Sequence, residues 1–272
     1  MAGDLDAFRE ADHMTVADRS ADITLAHALA EAAGAAIRPF FRSRFDREQK
    51  ADASPVTEAD RAAEAAMRAI LEVERPDDGI VGEEYGNVRE GASRVWVLDP
   101  IDGTRAFVTG RPIFGTLIAL LEEGRPAIGI IDQPILHERW TGAVGERTRF
   151  NAGFAGTRHC AHLAEAHFGS TAPAGFSAEQ AAAYARVTVD ARDAIWGGDC
   201  YNYGLVALGQ LDGVIEANLK LYDFAALVPV VEGAGGVMRD WLGRPLDAGS
   251  DGRVVALGDM RLLDPVLERL AA

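Results

Sequence analysis

Apolar positions along the chain fall first into a helical and then into a strand-like pattern. Between residues 21 and 45, Ile23, Ala26, Leu29, Ala32, Ala36 and Ile37 recur at helical spacing and predict one long helix. Arg38, Arg42, Arg44 and Arg47 follow as solvated cations. Ser54-Pro55 then breaks the chain, and Thr57 is the expected N-cap of a second helix over 58–73. Short apolar runs take over at 80–82, 95–98, 115–121, 127–131 and 139–143, with a turn at 122–126, and predict an antiparallel meander. From 145 to 192 the pattern fades into Arg, Gly and Ala, with a break at 170–173, so only short elements are expected. It returns with an apolar helix over 200–208, a strand over 213–217 and a helix from Tyr222-Asp223-Phe224 to Gly233. Gly233-Ala234-Gly235-Gly236 reads as that helix's stop. A hairpin-like stretch 236–246, a strand 254–257 and a last helix 262–270 complete the order. Residues 1–20 are polar, and no repeat or clear linker is visible. Two helices, an antiparallel set, then alternating helices and strands predict layered α and β, the α+β class.

Composition narrows what such a chain does. With 272 residues, 48% of them apolar and 25% charged, it can bury the core of one large or two modest domains. A net charge of −15 argues against nucleic acid as a partner. It would repel an anionic substrate too, unless cations bridge substrate to protein. Cys160 and Cys200 are too few for a disulfide framework, which suggests a reducing compartment. The acidic start has no apolar core, and no run approaches the ~18 apolar residues of a membrane span. The expectation is a cytoplasmic protein with no membrane partner.

Candidate chemistry is densest where the run Val95-Trp96-Val97-Leu98 ends in Asp99-Pro100-Ile101-Asp102-Gly103-Thr104. Two carboxylates three residues apart, with the Ile101 carbonyl between them, are oxygen ligands of the kind hard divalent cations take. Gly103 and Thr104 can offer backbone N–H groups to an anion. Asp-Pro and Asp-Gly are also ordinary turn dipeptides, so on this stretch alone turn and metal–phosphate cradle both stand. Elsewhere, Asp60 lies in a predicted first helical turn, where an acid also simply complements the macrodipole. Glu83 and Glu84 end a short strand between glycines, and Asp223 begins a helix. His159, Cys160 and His162 lack the further close partner that a zinc site needs.

Taken together, Gly82-Glu83-Glu84, the run Trp96 through Thr104, and Tyr222-Asp223 before an apolar helix resemble the inositol monophosphatase superfamily of Mg²⁺-dependent phosphatases, over about residues 20–265. The resemblance implies a layered αβαβα sandwich, with 1–150 and 151–272 as two halves of one catalytic unit, and a homodimer. It implies Glu83, Asp99 and the Ile101 carbonyl as ligands of one Mg²⁺, and Asp99, Asp102 and Asp223 as ligands of a second. Glu83 would also meet a third ion through waters. Asp60 and Thr104 would orient and deprotonate the attacking water, and the Gly103 and Thr104 N–H groups would hold the phosphate of a small phosphomonoester.

Within the superfamily the chain is most similar to the histidinol-phosphatase branch. The supporting runs are Ser54 through Asp60, Ile131-Asp132-Gln133-Pro134 with Glu138-Arg139-Trp140, Gly198-Asp199-Cys200-Tyr201, and Leu219 through Asp223 leading into Ala225 to Pro229. Inositol-type members usually carry Trp where Tyr222 stands and a small residue where Asp199 stands. Asp199 and Glu216 would then form a negative lip for a cationic alcohol phosphate such as L-histidinol phosphate. The competing reading makes Asp199 a helix cap. Same-chemistry alternatives are inositol 1-phosphate, a sugar bisphosphate or a nucleotide 3′-phosphate. A non-catalytic metal or phosphate sensor is the alternative from another class.

Overall fold

The computed structural model describes residues 16–43 and 55–272. The expectations for 1–15, Arg44, Arg47 and 50–54 fall outside them, as does the side chain of Thr57. One mixed sheet contains β1 (Gly79–Gly82), β2 (Gly86–Val88), β3 (Arg94–Asp102), β4 (Gly115–Glu122), β5 (Arg125–Gln133), β6 (Glu138–Ala143), β7 (Arg149–Phe150) and β8 (Gly153–Phe154). Its order is β2-β1-β3-β4-β5-β6-β7-β8, with only β1 and β3 parallel. A second mixed sheet contains β9 (His167–Ser170), β10 (Asp193–Trp196), β11 (Gly213–Glu216), β12 (Val237–Arg239) and β13 (Val254–Leu257), ordered β10-β9-β11-β13-β12.

Helices separate and cover these sheets. Val95 and Val97 of β3 face one way, Trp96 and Leu98 the other, as the two-residue strand period requires. Trp96, Leu98, Ile118 and Ile130 pack against α1 (Val16–Ile37) and α2 (Pro55–Glu74). Val95, Val97, Leu117 and Ile131 pack against α5 (Asp199–Ala207), α6 (Leu221–Phe224) and α7 (Leu227–Gly233), whose other side meets Val214, Val254 and Ala256 of the small sheet. Phe168, Ile215, Val255 and Leu257 turn outward under α4 (Ala178–Thr188) and α8 (Leu263–Ala271). The layers therefore run α, β, α, β, α. Burial on both faces explains why the strands read as continuous apolar runs rather than alternating ones.

Several element boundaries differ from the sequence reading. α1 stops at Ile37 rather than 45, because Pro39 disfavours helical geometry at Arg38 and the chain turns over 38–42. α2 begins at Pro55, a favoured first-turn residue, so Thr57 lies inside the helix rather than capping it. β3 runs through Pro100 to Asp102 instead of breaking there. The register shifts between Asp99 and Asp102, and the Pro100 carbonyl accepts the Thr116 hydroxyl at 2.7 Å. The stretch 236–246 is not its own hairpin, since β12 pairs with β13. In 145–192, β9 and β10 lie parallel with α4 between them in the chain, and α4 is opened by a Ser177–Gln180 capping box.

Candidate active site

The site forms where β1 and β3 end side by side. Leu98 of β3 is opposite Gly82, and the Glu83 amide donates to the Leu98 carbonyl at 3.3 Å, which brings Glu83 beside Asp99. The bulge at 99–102 turns Asp102 toward the same end. α6 adds Asp223, whose Oδ2 accepts the Lys220 amide at 2.5 Å. Carboxylate oxygens of Asp99, Asp102 and Asp223 lie within 4.8 Å of one another, the one such His/Cys/Asp/Glu group among the described residues. His159, Cys160 and His162 form no comparable group: the Cys160 amide is held by Asp259, and its Sγ donates to the His162 carbonyl.

Such crowding of like charges needs an answer. Burial, then Asp102, Glu83 and Asp223, push the Asp99 carboxyl well above the ordinary range, and Asp99 and Glu83 are joined by a side-chain hydrogen bond. Asp102 is pushed well up by burial and by Asp199 and Asp223, although the Cys200 amide donates to its Oδ2 at 2.6 Å. Burial raises Asp223 to about 6. Asp60, on α2, is raised to about 8 by burial and by Glu84, Glu83 and Glu64. Asp60 Oδ1 and Asp99 Oδ1 are buried with no hydrogen-bond partner. Partnerless buried carboxylate oxygens, in an all-oxygen donor set with excess negative charge, fit hard divalent cations.

Stability without metal should therefore depend on pH with a definite sign. Asp60 and Asp223 bind a proton more tightly folded than unfolded, so the stabilisation they give is complete below their ordinary value of 3.8. It is lost as pH rises through about 6 and then about 8. The Tm of EDTA-treated protein is expected to fall by several degrees from roughly pH 5 to pH 8, and Mg²⁺ should flatten that slope. A Tm that rises over this interval without metal would contradict the electrostatics.

The remaining sequence candidates sit around this centre. Gly103 takes φ +88, and a Cβ there would stand 3.0 Å from the Asp199 carboxylate, so glycine allows both the turn and the close approach. Thr104 opens α3 (Thr104–Val108), and its hydroxyl donates to the Ile101 carbonyl at 3.2 Å. Thus the expected water-orienting hydroxyl and the expected carbonyl ligand engage one another here, and the Asp60 Oδ1 stays unpaired. Asp199 is not a cap: Gly198 holds that position, and Asp199 itself has left-handed φ +44, a strained conformation for a side-chain-bearing residue. A cavity of about 200 Å³ beside the acids is lined by Asp102, Asp199, Glu216 and Asp223. Glu216 is buried rather than open, accepting the Thr171 amide at 2.8 Å, the Thr171 hydroxyl and the Tyr203 hydroxyl at 2.9 Å.

Sequence reasoning missed Thr171, Phe176 and Arg105 on this cavity, because the segment 145–192 showed no pattern and nothing in the sequence singled out Arg105. It also missed Glu64, whose only signal is its place four residues after Asp60 on an alanine-rich helix.

Residues 18–270 match the description of the inositol monophosphatase family. The chain belongs to the inositol monophosphatase family. It is 49% identical over 253 residues to a relative named bifunctional phosphatase IMPL2, chloroplastic, of Arabidopsis thaliana, covering 90% of this chain and 73% of that protein. It is 37% identical over 259 residues to a histidinol-phosphatase of Mycobacterium tuberculosis, covering 92% and 98%. A solved inositol monophosphatase of Zymomonas mobilis shares 55% identity and superposes with a TM-score of 0.89, covering 93% of this chain and 98% of that one. The chain is thus a phosphomonoesterase of a metal-dependent family, with that family's α+β fold. Among the described residues no helix is long and apolar enough to cross a membrane.

Proposed function

We propose that this phosphatase is Mg²⁺-dependent and hydrolyses L-histidinol phosphate to L-histidinol and phosphate. The observation that carries the substrate is Asp199, an acid held in a strained left-handed conformation on the wall of the cavity beside the metal-ligand candidates. Strain of this kind is retained where the side chain's position matters. A carboxylate there complements the ammonium and imidazole of histidinol, and histidinol-phosphatases stand among the relatives.

Glu83, Asp99 and the Ile101 carbonyl would hold one Mg²⁺, and Asp99, Asp102 and Asp223 a second, with Glu83 meeting a third through waters. When bound, the ions neutralise phosphoryl charge, acidify water and stabilise the departing alkoxide. The protein supplies positioning and proton handling. The Gly103 and Thr104 N–H groups hold phosphate oxygens. Asp60, with Thr104, orients the attacking water and takes its proton, a role suited to a carboxyl whose proton affinity is already high. Residues 1–150 bring Asp60, Glu83, Asp99, Asp102 and Thr104, and 151–272 bring Asp199, Glu216 and Asp223, as one catalytic unit. The reading includes a homodimer and, with Cys160 and Cys200 unpaired, a reducing compartment such as the cytoplasm.

A second reading, myo-inositol 1-phosphate, is favoured by one observation. Arg105 and Arg111 lie close enough to Asp199 to offset part of its charge, which suits a neutral polyol better than a cation. The test is kcat/KM for the two substrates at saturating Mg²⁺. Histidinol phosphate should be preferred by about tenfold or more, and a preference for inositol 1-phosphate would reverse the assignment. Asp199→Ala should raise KM for histidinol phosphate by about tenfold, some 1.4 kcal/mol, and leave inositol 1-phosphate nearly unchanged. Equal losses on both would remove the cationic-lip idea.

A further inference from the structure

The turn that carries Glu83 is held from beneath by a carboxylate outside the proposed ligand set. Glu64 leaves α2 one helical turn after Asp60, on the same face, and is fully buried. Its Oε2 accepts the Glu84 amide at 2.8 Å. Its Oε1 accepts the Tyr85 amide at 3.2 Å and the Arg68 Nε–H at 2.7 Å. Arg68, a further turn along the helix, donates from Nη2 to the Gly86 carbonyl. A Cβ on Gly82 would overlap Glu64 Oε1 and crowd Arg68 Nη2, so the carboxylate rests directly on that glycine. Glu83 is therefore bracketed: its neighbours on both sides are held by one ion pair.

A role in folding alone accounts poorly for an acid here. Burying a carboxylate is costly even when paired, and an apolar residue of similar volume would often serve stability as well. What a neutral residue lacks is the ability to grip two successive amides and a guanidinium at once with charge-assisted bonds. Those bonds fix the path of the backbone at Glu83.

We propose that Glu64, locked by Arg68, is a positioning residue that sets the turn after β1 so that the Glu83 carboxylate is aimed at Asp99 before a cation arrives. Glu64 lies outside the proposed ligand sets, and the inference rests on the metal-dependent reading above. The test uses metal-stripped full-length protein and Mn²⁺ as the probe, with free Mn²⁺ read by electron paramagnetic resonance and Tm recorded alongside. Glu64→Gln keeps size and burial but turns an amide NH2 toward at least one of the three N–H donors that the carboxylate accepts. It should bind Mn²⁺ about ten- to a hundredfold more weakly than wild type, the loss typical of groups that orient metal ligands. In turnover, the Mg²⁺ midpoint should move by a similar factor, while kcat at saturating Mg²⁺ recovers most of its value. A variant with lowered Tm but wild-type Mn²⁺ affinity would overturn the proposal. If Glu64→Gln does not fold, Arg68→Lys decides the matter. It keeps the charge but cannot span Glu64 and Gly86 together, and should weaken Mn²⁺ binding in the same direction. Wild-type affinity in that variant overturns the proposal as well. Failure of wild type itself to bind Mn²⁺ would overturn the metal reading, and the proposal with it.

Discussion

Asp99→Asn is expected to reduce kcat/KM by about a thousandfold or more, some 4 kcal/mol of lost transition-state stabilisation. Asp99 ends the regular part of β3, is 2% exposed, and has Glu83, Asp102 and Asp223 as its acidic neighbours. The proposed ligand sets share it, so one neutralised carboxylate weakens both ions. Asparagine keeps the shape, which separates charge from packing. The same substitution removes a buried acid whose ionised form burial and its neighbours oppose, so at alkaline pH the metal-free variant should melt above metal-free wild type. Lower activity with higher metal-free Tm is the signature of a site whose acids are kept for function. Wild-type turnover in Asp99→Asn, measured by phosphate release across a Mg²⁺ titration, would show that Asp99 is no ligand.

Asp60→Asn is expected to lower kcat about a hundred- to ten-thousandfold, the usual range for losing a positioned general base. The expected difference from Asp99→Asn lies in binding: Mn²⁺ affinity should stay near wild type, because Asp60 belongs to neither proposed ligand set. A base must be unprotonated to act, so wild-type kcat/KM should climb with pH along a limb belonging to Asp60, and the variant should lose that limb. The carboxyl sits at about 8 without metal. Bound cations should draw the limb to lower pH, since a nearby positive charge favours the ionised form. A full-strength pH limb in Asp60→Asn would assign the proton transfer elsewhere.

How much of this was legible in the sequence follows from how local each signal is. β3 and β4 were readable because burial on both faces makes a strand a continuous apolar run. Asp99 and Asp102 were readable because they sit in one contiguous motif, and Glu83 and Asp223 because each follows or opens a clear element. The β9–α4–β10 unit was not readable: its strands are four residues each and pair at long range, so no local period announces them. Nor was the left-handed Asp199, since no local sequence signal marks that backbone conformation. Glu64 failed for a different reason. An acid on an alanine-rich helix reads as solvent-facing, and only the neighbouring turn of the sheet turns that face inward.

The central claim is that dispersed acids converge to hold the cations on which ester hydrolysis depends. Its most direct measurement is phosphate release from L-histidinol phosphate by EDTA-treated enzyme as Mg²⁺ is added back. Turnover should be absent at the start and rise to saturation with Mg²⁺. Undiminished hydrolysis before any Mg²⁺ is added would contradict the account.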